Sequence, residues 1–139
     1  MDRFGGWCWY FSDKAKRLKK HKCGKWMYFF SNQEFAMHMC EKAIAENVCY
    51  ECKCTDMEAT GEKMGVTCFY LNFDDIDNHR RVIQFMIDNN LIRKTKTGKL
   101  YNISFKFDDE TRAQKYGADF EGTIKLAQFV DLTTGKWID

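Results

Sequence analysis

Proline is absent from this chain of 139 residues, and histidine occurs only three times. Without proline, glycine and asparagine must supply the turns and the helix ends. No apolar run is long enough to span a bilayer, and the basic run at 14–25 follows an aromatic segment instead of preceding one, unlike a secretory signal. These absences predict a protein that does not enter a membrane. The length predicts one domain over 1–139, with a basic and aromatic N-terminal segment at 1–23 and a core at 24–130.

The motifs of several enzyme classes are also missing. The sequence contains no G-x-S-x-G, no P-loop and no G-x-G-x-x-G. His21 lies in a basic run, His38 lies on a predicted helix, and His79 falls in an early helix turn that solvent can reach. No local signature connects any of them to a cysteine nucleophile. We therefore rank an enzyme that acts on a phosphorylated small molecule last among the candidate functions, and we expect no cofactor.

Seven cysteines, an odd number, do not form the pattern of a disulfide framework. Cys49, Cys52 and Cys54 form a C-x-x-C-x-C cluster, with His38 and Cys40 nearby in sequence. A structural zinc ion needs four ligands in a tetrahedron, whereas a strand places Cys52 and Cys54 on one face and Cys49 on the other. The pattern predicts reduced, buried thiols without a metal ion, in a cytoplasmic protein.

Short apolar and aromatic runs, separated by polar connections, predict six strands. These strands fall at 7–11, 25–30, 48–54, 66–71, 100–107 and 123–130, and a short helical turn is expected at 109–116. The polar connections at 12–23 and 55–65 are predicted to be loops.

Two segments carry the signals of amphipathic helices. Ser31 is a good N-cap, Glu34 follows at the capping-box position, and the helical pattern continues to about Asn47. One of the two aspartates at 74–75 caps the second helix, which ends at the asparagines 89–90. Strands in successive pairs favour antiparallel pairing with the helices on one face. The predicted fold class is therefore α+β, a curved antiparallel sheet backed by two to three helices, with its other face open to a ligand.

Three stretches carry a family resemblance: GKWM at 24–27, VTCFY at 66–70, and YNISFKFD at 101–108 with Thr111 and the pair YG at 116–117 behind it. They resemble the uncharacterised family DUF1917, also called UPF0696 and typified by basophilic leukemia-expressed protein. The resemblance implies a fold similar to that of the messenger-RNA cap-binding translation initiation factor, a curved antiparallel sheet backed by helices. This implied fold agrees with the predicted order of elements.

The cap-binding activity of that initiation factor is not expected here. The factor holds a methylated guanine between two tryptophans, on loops after its first and third strands, because a cationic base binds well between electron-rich rings. The corresponding loops in this chain, 12–23 and 55–65, contain no Trp, Tyr or Phe, and the four tryptophans are at 7, 9, 26 and 137. The resemblance therefore implies the fold without its best-known ligand.

Positive charge is concentrated in two stretches. Residues 1–26 carry eight Lys and Arg against two Asp and Glu, a charge of +6, which leaves −4 for the remainder of a chain with net charge +2. The stretch 93–106 contains no acidic residue, and its loop also offers Thr95, Thr97 and Gly98. Cations mixed with hydroxyls and backbone N–H groups are typical of phosphate sites. The alternative is a solvated loop whose cations stabilise the dipole of the preceding helix.

Alternation along 100–107 assigns its side chains to two faces. The predicted core side is formed by Tyr101, Ile103, Phe105 and Phe107, and the predicted open side by Asn102, Ser104 and Lys106. An ion pair between Lys106 and Asp108 is the alternative to ligand binding by Lys106. Lys25 and Lys53 also alternate with apolar neighbours, either to line a ligand face or to block strand pairing at a sheet edge.

The sequence thus predicts a small binding protein whose ligand is a nucleotide, a nucleic-acid segment or another phosphate-bearing molecule on the open sheet face. The candidate ligand-binding residues are Lys53, Asn102, Ser104, Lys106, Arg112, Arg93, Lys96 and Lys99. The alternative is a protein-interaction module without a small-molecule ligand, which recognises a partner through Trp7, Trp9 and Trp137.

We expect purified protein to contain seven free thiols and no stoichiometric metal ion, because strand geometry keeps Cys49 apart from Cys52 and Cys54. Thiol counting under denaturing conditions and elemental analysis test the two parts. One zinc ion per chain would contradict the absence of a metal site. A thiol count two or more below seven would reveal a native disulfide.

Overall fold

A computed structural model describes residues 1–108 and 124–138 of the chain. Its strands are β1 (Asp2–Phe4), β2 (Trp7–Phe11), β3 (Cys23–Phe30), β4 (Glu51–Thr55), β5 (Gly65–Asn72) and β6 (Lys106–Phe107). Its helices are α1 (Gln33–Ala45), α2 (Met57–Thr60) and α3 (Ile76–Asp88), with 3-10 turns at Ala15–Arg17 and Leu126–Gln128. The helical turn expected at 109–116 lies outside the described residues.

All six strands belong to one open, curved sheet in the order β1-β2-β4-β5-β3-β6, and every pair of neighbours is antiparallel. The predicted α+β class, an antiparallel sheet backed by helices, is therefore confirmed. In the parts of the chain that the structure describes, no helix is both long enough and apolar enough to cross a membrane.

Alternate residues of the interior strands form the core beneath α1 and α3. Trp26, Phe69 and Cys52 occupy one row across β3, β5 and β4, and all three are fully buried. The Cys52 thiol donates to a carbonyl oxygen of α1 at 3.7 Å. The Phe69 ring lies 5.8 Å from the ring of Phe85 on α3. Both long helices therefore cover the same face of the sheet and leave the opposite face uncovered.

The N-terminal hairpin contains a strand, β1, that the sequence analysis missed. Gly5 and Gly6 join β1 to β2 with φ angles of 61° and 81°, which fit the two-residue turns of β-hairpins. This glycine pair between aromatic residues is the signal that marks the turn. β2 lies between β1 and β4, and its residues Cys8 and Tyr10 are buried in the core. The core therefore includes residues from the segment 1–23.

The first helix begins one residue later than the capping box predicted. Its N-cap is Asn32, whose Oδ1 accepts a hydrogen bond from the N–H of Phe35 at 3.1 Å. Ser31 and Asn32 are both good N-cap residues, and Glu34 favours Ser31 in the sequence alone. Phe35 consequently takes the third helical position and is 41% exposed. The predicted end is close to the observed one, since Asn47 adopts a left-handed φ of 56° just after the helix.

The polar loop predicted at 55–65 contains a short helix, α2. Asp56 Oδ1 accepts from the N–H of Ala59 at 3.2 Å, and Gly61 ends the helix with a φ of 72°. One helical turn is too short to create an apolar period in the sequence. The second predicted helix is confirmed as α3, where Asp75 Oδ1 accepts from the N–H of Asn78 at 3.1 Å.

The strand predicted at 100–107 is wrong over most of its length. Only Lys106–Phe107 joins the sheet, beside β3. A tight turn interrupts the alternation, because the N–H of Ile103 donates to the carbonyl oxygen of Tyr101 at 2.9 Å. Tyr101 is therefore 47% exposed instead of buried, and Ile103 is half-buried, whereas Phe105 is buried as predicted.

The strand predicted at 123–130 is also wrong where the structure describes it. Leu126–Gln128 form a 3-10 turn. Asn102, which we expected to face a ligand, instead accepts a hydrogen bond on Oδ1 from the N–H of Ala127 at 2.8 Å. The two residues are 25 positions apart, so alternation within either segment carried no sign of this contact.

A buried hydrogen-bond chain joins β3, α3 and the segment before α3. Trp26 Nε1–H donates to His79 Nδ1 at 3.0 Å, and His79 Nε2 lies 2.8 Å from the carbonyl oxygen of Phe73. Because Nδ1 accepts, the ring proton is on Nε2 and is donated to Phe73. Burial lowers the pKa of His79 from 6.5, so the imidazole is neutral. The expectation that solvent reaches this early helix turn is wrong, since His79 is fully buried.

His79→Leu should lower the free energy of unfolding by about 2–5 kcal/mol, because it removes both buried hydrogen bonds of the imidazole, to the N–H of Trp26 and to the carbonyl of Phe73. His38→Leu, on the exposed side of α1, is the matched control and should change it by less than about 0.5 kcal/mol. Chemical denaturation measures both variants. Equal losses in the two variants would contradict the role of the buried chain.

The pH dependence of stability follows from the same histidine. Since the folded pKa is below the unfolded value of 6.5, the unfolded state binds the proton first as the pH falls. Stability should therefore decrease between about pH 6.5 and about pH 5, before most carboxylates contribute. The decrease should be absent from His79→Leu. A wild-type profile that is flat in this window would contradict a buried neutral imidazole.

Candidate functional site

The uncovered face of the sheet carries a row of polar side chains. Strand register places Glu51 of β4, Tyr70 of β5, Lys25 of β3 and Lys106 of β6 side by side. Trp26 points into the core, so its neighbour Lys25 and the rest of this row point to the opposite face. The row therefore crosses the open face at right angles to the strands.

A cavity of ≈ 360 Å³ lies on this row. Its lining consists of Lys25, Lys53, Tyr70, Lys106, Phe107 and Asp108. Lys53 comes from β4, two residues beyond Glu51, and its Nζ lies 5.8 Å from the centre of the Tyr70 ring. The Nζ of Lys25 lies 5.5 Å from the centre of the same ring. Lys106 pairs with Lys25 across the strands, so three lysines line one cavity.

The three lysines differ in their partners. Lys25 Nζ forms an ion pair with Asp108 Oδ1 at 2.9 Å. The predicted alternative, a pair between Lys106 and Asp108, is therefore replaced by a pair with Lys25. In 1–108 and 124–138, neither Lys53 nor Lys106 has a carboxylate within 4.0 Å. These two ammonium groups remain able to bind an added anion.

Burial shifts the pKa values of two side chains on this face, Lys53 and Glu51. Burial lowers the pKa of Lys53. It also raises the pKa of Glu51, and the negative charge of Asp108 adds to that effect. Both changes reflect the free energy needed to keep a charge on a half-covered surface. A phosphate beside Lys53 would stabilise the charged form of the lysine and offset part of that cost.

Two indole rings hold the ammonium group of Lys53. Its Nζ lies 3.7 Å from the centre of the Trp7 ring and 4.6 Å from the centre of the Trp9 ring. A cation over an aromatic face contributes about 0.5–2 kcal/mol. Trp9 in turn stacks between Phe4 and Phe11. Aromatic rings on β1 and β2 and lysines on β4, β3 and β6 therefore share one face of the sheet.

Two of the predicted ligand-binding residues, Lys53 and Lys106, line the cavity. Ser104 is exposed and lines an adjoining groove of ≈ 360 Å³ that also contains Lys106. Asn102 does not join them, because its side-chain oxygen binds the backbone of Ala127. The structure therefore brings Lys53, Ser104 and Lys106 to this part of the open face, whereas Asn102 holds the C-terminal segment.

The basic loop after α3 does not reach the cavity. Arg93, Lys96 and Lys99 are exposed, and none of them belongs to the described lining of the cavity. The loop is closed on itself, since the N–H of Thr95 donates to the carbonyl oxygen of Lys99 at 2.7 Å. These features fit the alternative of a solvated loop. Arg112, also predicted to bind the ligand, lies outside the described residues.

Sequence reasoning missed Glu51, Tyr70 and Asp108 as parts of the site. It also left Lys25 and Lys53 open to an interpretation as edge charges that block strand pairing. That interpretation is wrong, because β3 and β4 are interior strands. Alternation along each strand indicated which residues face away from the core, and only the order of the strands shows which of them are neighbours.

The three tryptophans of the predicted protein-binding surface do not share one face. Trp7 and Trp9 lie half-buried on the open face, around Lys53. Trp137 packs against α3, where its Nε1–H donates to Gln84 Oε1 at 2.7 Å. A protein partner on the open face would therefore contact Trp7 and Trp9 without Trp137.

No group of three or more His, Cys, Asp and Glu within the described ranges is placed to hold a metal ion, and none of the seven cysteines forms a disulfide. Burial raises the pKa of the Cys8 and Cys68 thiols, which disfavours the reactive thiolate. Both ring nitrogens of His79 are engaged in hydrogen bonds. This histidine is therefore unavailable as a catalytic base.

The chain matches no protein-family model, no curated protein and no solved structure. The resemblance to DUF1917 and to the cap-binding initiation factor stays a prediction. The function must therefore be inferred from the chemistry of the open face.

We expect NMR to detect both the ring contacts and the lowered pKa of Lys53. After reductive methylation with labelled formaldehyde, the ring currents of Trp7 and Trp9 should move the Lys53 methyl signal upfield. Burial should place its titration midpoint below that of free dimethyllysine. The Lys53→Arg variant identifies the signal by its loss. A methyl signal without an upfield shift, or a midpoint at or above that of free dimethyllysine, would contradict this geometry.

Proposed function

We propose that the protein binds a nucleotide or another phosphate-bearing ligand on the open sheet face, with the phosphate at Lys53 and Lys106. The observation that carries this proposal is the cavity that both lysines line, since neither has an ion-pair partner among the described residues. Ammonium groups bind phosphate oxygens through charge-assisted hydrogen bonds, which are stronger than neutral ones.

Two carboxylates limit where the phosphate can sit. Asp108 neutralises Lys25, and Glu51 occupies the same face beside Tyr70. A phosphate placed over Lys25 would therefore approach two negative charges. Lys53 lies on β4 with Glu51, and Lys106 lies on β6 just before Asp108. The acids can accept hydrogen bonds from amino groups of a base.

The free thiols support a location for this binding protein. Seven cysteines without a disulfide persist most readily where cellular reductants keep thiols reduced. We therefore propose that the protein acts in the cytoplasm.

A protein-interaction module is the second candidate, and one observation favours it. Phe4, Phe11 and Phe29 are exposed on the open face, and Phe29 has 64% of its surface accessible. Exposed aromatic residues are enriched in the centres of protein interfaces. A partner of this kind would depend on the phenylalanines and Trp7, and it would be insensitive to Lys106.

Lys106→Ala should weaken the binding of a nucleoside triphosphate about tenfold, because it removes a charge-assisted contact. Calorimetry at low salt measures the affinity. Lys136→Ala, an exposed lysine outside the lining of the cavity, is the matched control and should leave the affinity unchanged. Thermal denaturation should show that both variants fold as the wild type does, since both side chains are exposed.

Two results would rule the proposal out. The first is the absence of binding heat at low salt with both a nucleoside triphosphate and a short single-stranded oligonucleotide. The second is equal affinity of Lys106→Ala, Lys53→Ala and the wild type for whichever ligand binds. Either result would leave the protein-interaction module as the function that the open face supports.

A further inference from the structure

Three aromatic rings form a stack at the β1–β2 end of the open face. The Phe4 and Trp9 ring centres are 5.3 Å apart with planes inclined by 11°, and those of Trp9 and Phe11 are 6.0 Å apart with planes inclined by 3°. Phe4 is 60% exposed and Phe11 is 45% exposed, whereas the Trp9 ring between them is half-buried. The two ends of the stack are therefore accessible to another flat ring.

This aromatic stack is not explained by packing against the described core. Its rings lie on the face that α1 and α3 leave uncovered, and both end residues keep a large apolar surface in water. Contiguous exposed apolar surface of this kind usually marks a binding site. Nucleic-acid bases are flat and aromatic, and stacking on a protein ring does not depend on which base is present.

The lysines continue from the stack across the sheet. Lys53 lies on β4, next to β2, and its ammonium rests on Trp7 and Trp9. Lys106 lies on β6, three strands further. At about 4.8 Å between strands, the two lysine columns are about 14 Å apart, and the whole sheet is about 24 Å wide. Aromatic rings and two lysines without an ion-pair partner among the described residues thus follow one another across the strands. Lys53 is displaced by two residues along β4 from the row that contains Lys106.

We infer that the phosphate-bearing ligand is a short single-stranded nucleic acid that lies across the open face. At least one base stacks on the Phe4–Trp9–Phe11 rings, and the backbone phosphates bind Lys53 and Lys106. This inference rests on the proposed function and names its ligand class. The width of the sheet accommodates about four nucleotides, the lower end of the site sizes of single-strand-binding domains.

A single strand fits these features better than a duplex. In a duplex the bases stack on each other, so their faces are not available to protein rings, whereas unpaired bases expose them. The acids Glu51 and Asp108 offset part of the lysine charge. Binding should therefore depend on stacking as well as on charge, which is the combination that a single strand satisfies.

The test measures the affinity of labelled oligothymidylates of one to eight nucleotides by fluorescence anisotropy at several salt concentrations. Affinity should rise with length up to about four nucleotides and then level off, apart from the statistical gain of longer strands. The double variant Phe4→Ala, Phe11→Ala should bind about tenfold more weakly without a change in salt dependence. Phe35→Ala, an exposed phenylalanine on α1, is the matched control and should bind like the wild type.

Lys106→Ala provides the complementary measurement. It should reduce the slope of log affinity against log salt by about 0.7, the value for one phosphate contact to a single strand. An oligonucleotide duplex should compete at least tenfold less well than a single strand of the same length. Together these results separate the stacking contribution from the charge contribution.

Several outcomes would overturn the inference. If the triphosphate binds but affinity does not rise with oligonucleotide length, or if the Phe4, Phe11 variant binds like the wild type, the inference fails and the proposed function stands. Equal competition by a duplex would also overturn the inference and leave the proposed function standing. If neither the triphosphate nor the oligonucleotides bind, both fail. Should the double variant not fold, the length series and the duplex competition on the wild type still decide the question.

Discussion

The hydrogen bond between Trp26 and His79 is the contact on which the described architecture depends most. It joins β3 to α3, and the second nitrogen of His79 binds the carbonyl of Phe73 before the helix. Phe105 and Phe129 pack against the same imidazole, so the C-terminal segment is positioned by it as well. A buried polar group without a partner costs about 1–3 kcal/mol. This chain of partners therefore favours one arrangement of sheet, helix and C-terminal segment over its alternatives.

That arrangement also decides where Lys106 lies. The Phe105 ring packs 5.6 Å from the ring of Trp26. Gly24 permits this approach, because a Cβ at that position would overlap the Phe105 ring. Lys106, the residue after Phe105, then pairs with Lys25 at the edge of the sheet. Core packing and the candidate site are thus connected through two consecutive residues. Phe105 is buried in the core, and Lys106 is exposed on the open face.

The open face combines features that do not favour stability. Lys53 is held on a surface where burial lowers its pKa, and the rings of Trp7 and Trp9 replace only part of the water that a free ammonium group binds. The exposed rings of Phe4 and Phe11 lie beside it. Residues whose placement opposes stability without a structural gain are expected at functional sites. In the described residues, the covered face is filled mainly by aromatic, aliphatic and sulfur-containing side chains.

Helix caps and strand alternation are local signals, and they were enough to predict the fold class, both long helices and most strands. The sequence also indicated that Lys53 and Lys106 face away from the core. It did not reveal β1, α2 or the C-terminal path, where the side chain of Asn102 binds a backbone group distant in sequence. The position of these lysines beside Lys25, around Tyr70, became visible only in the folded sheet. Periodicity assigns a residue to a face, whereas strand order and register decide which residues become neighbours across a sheet.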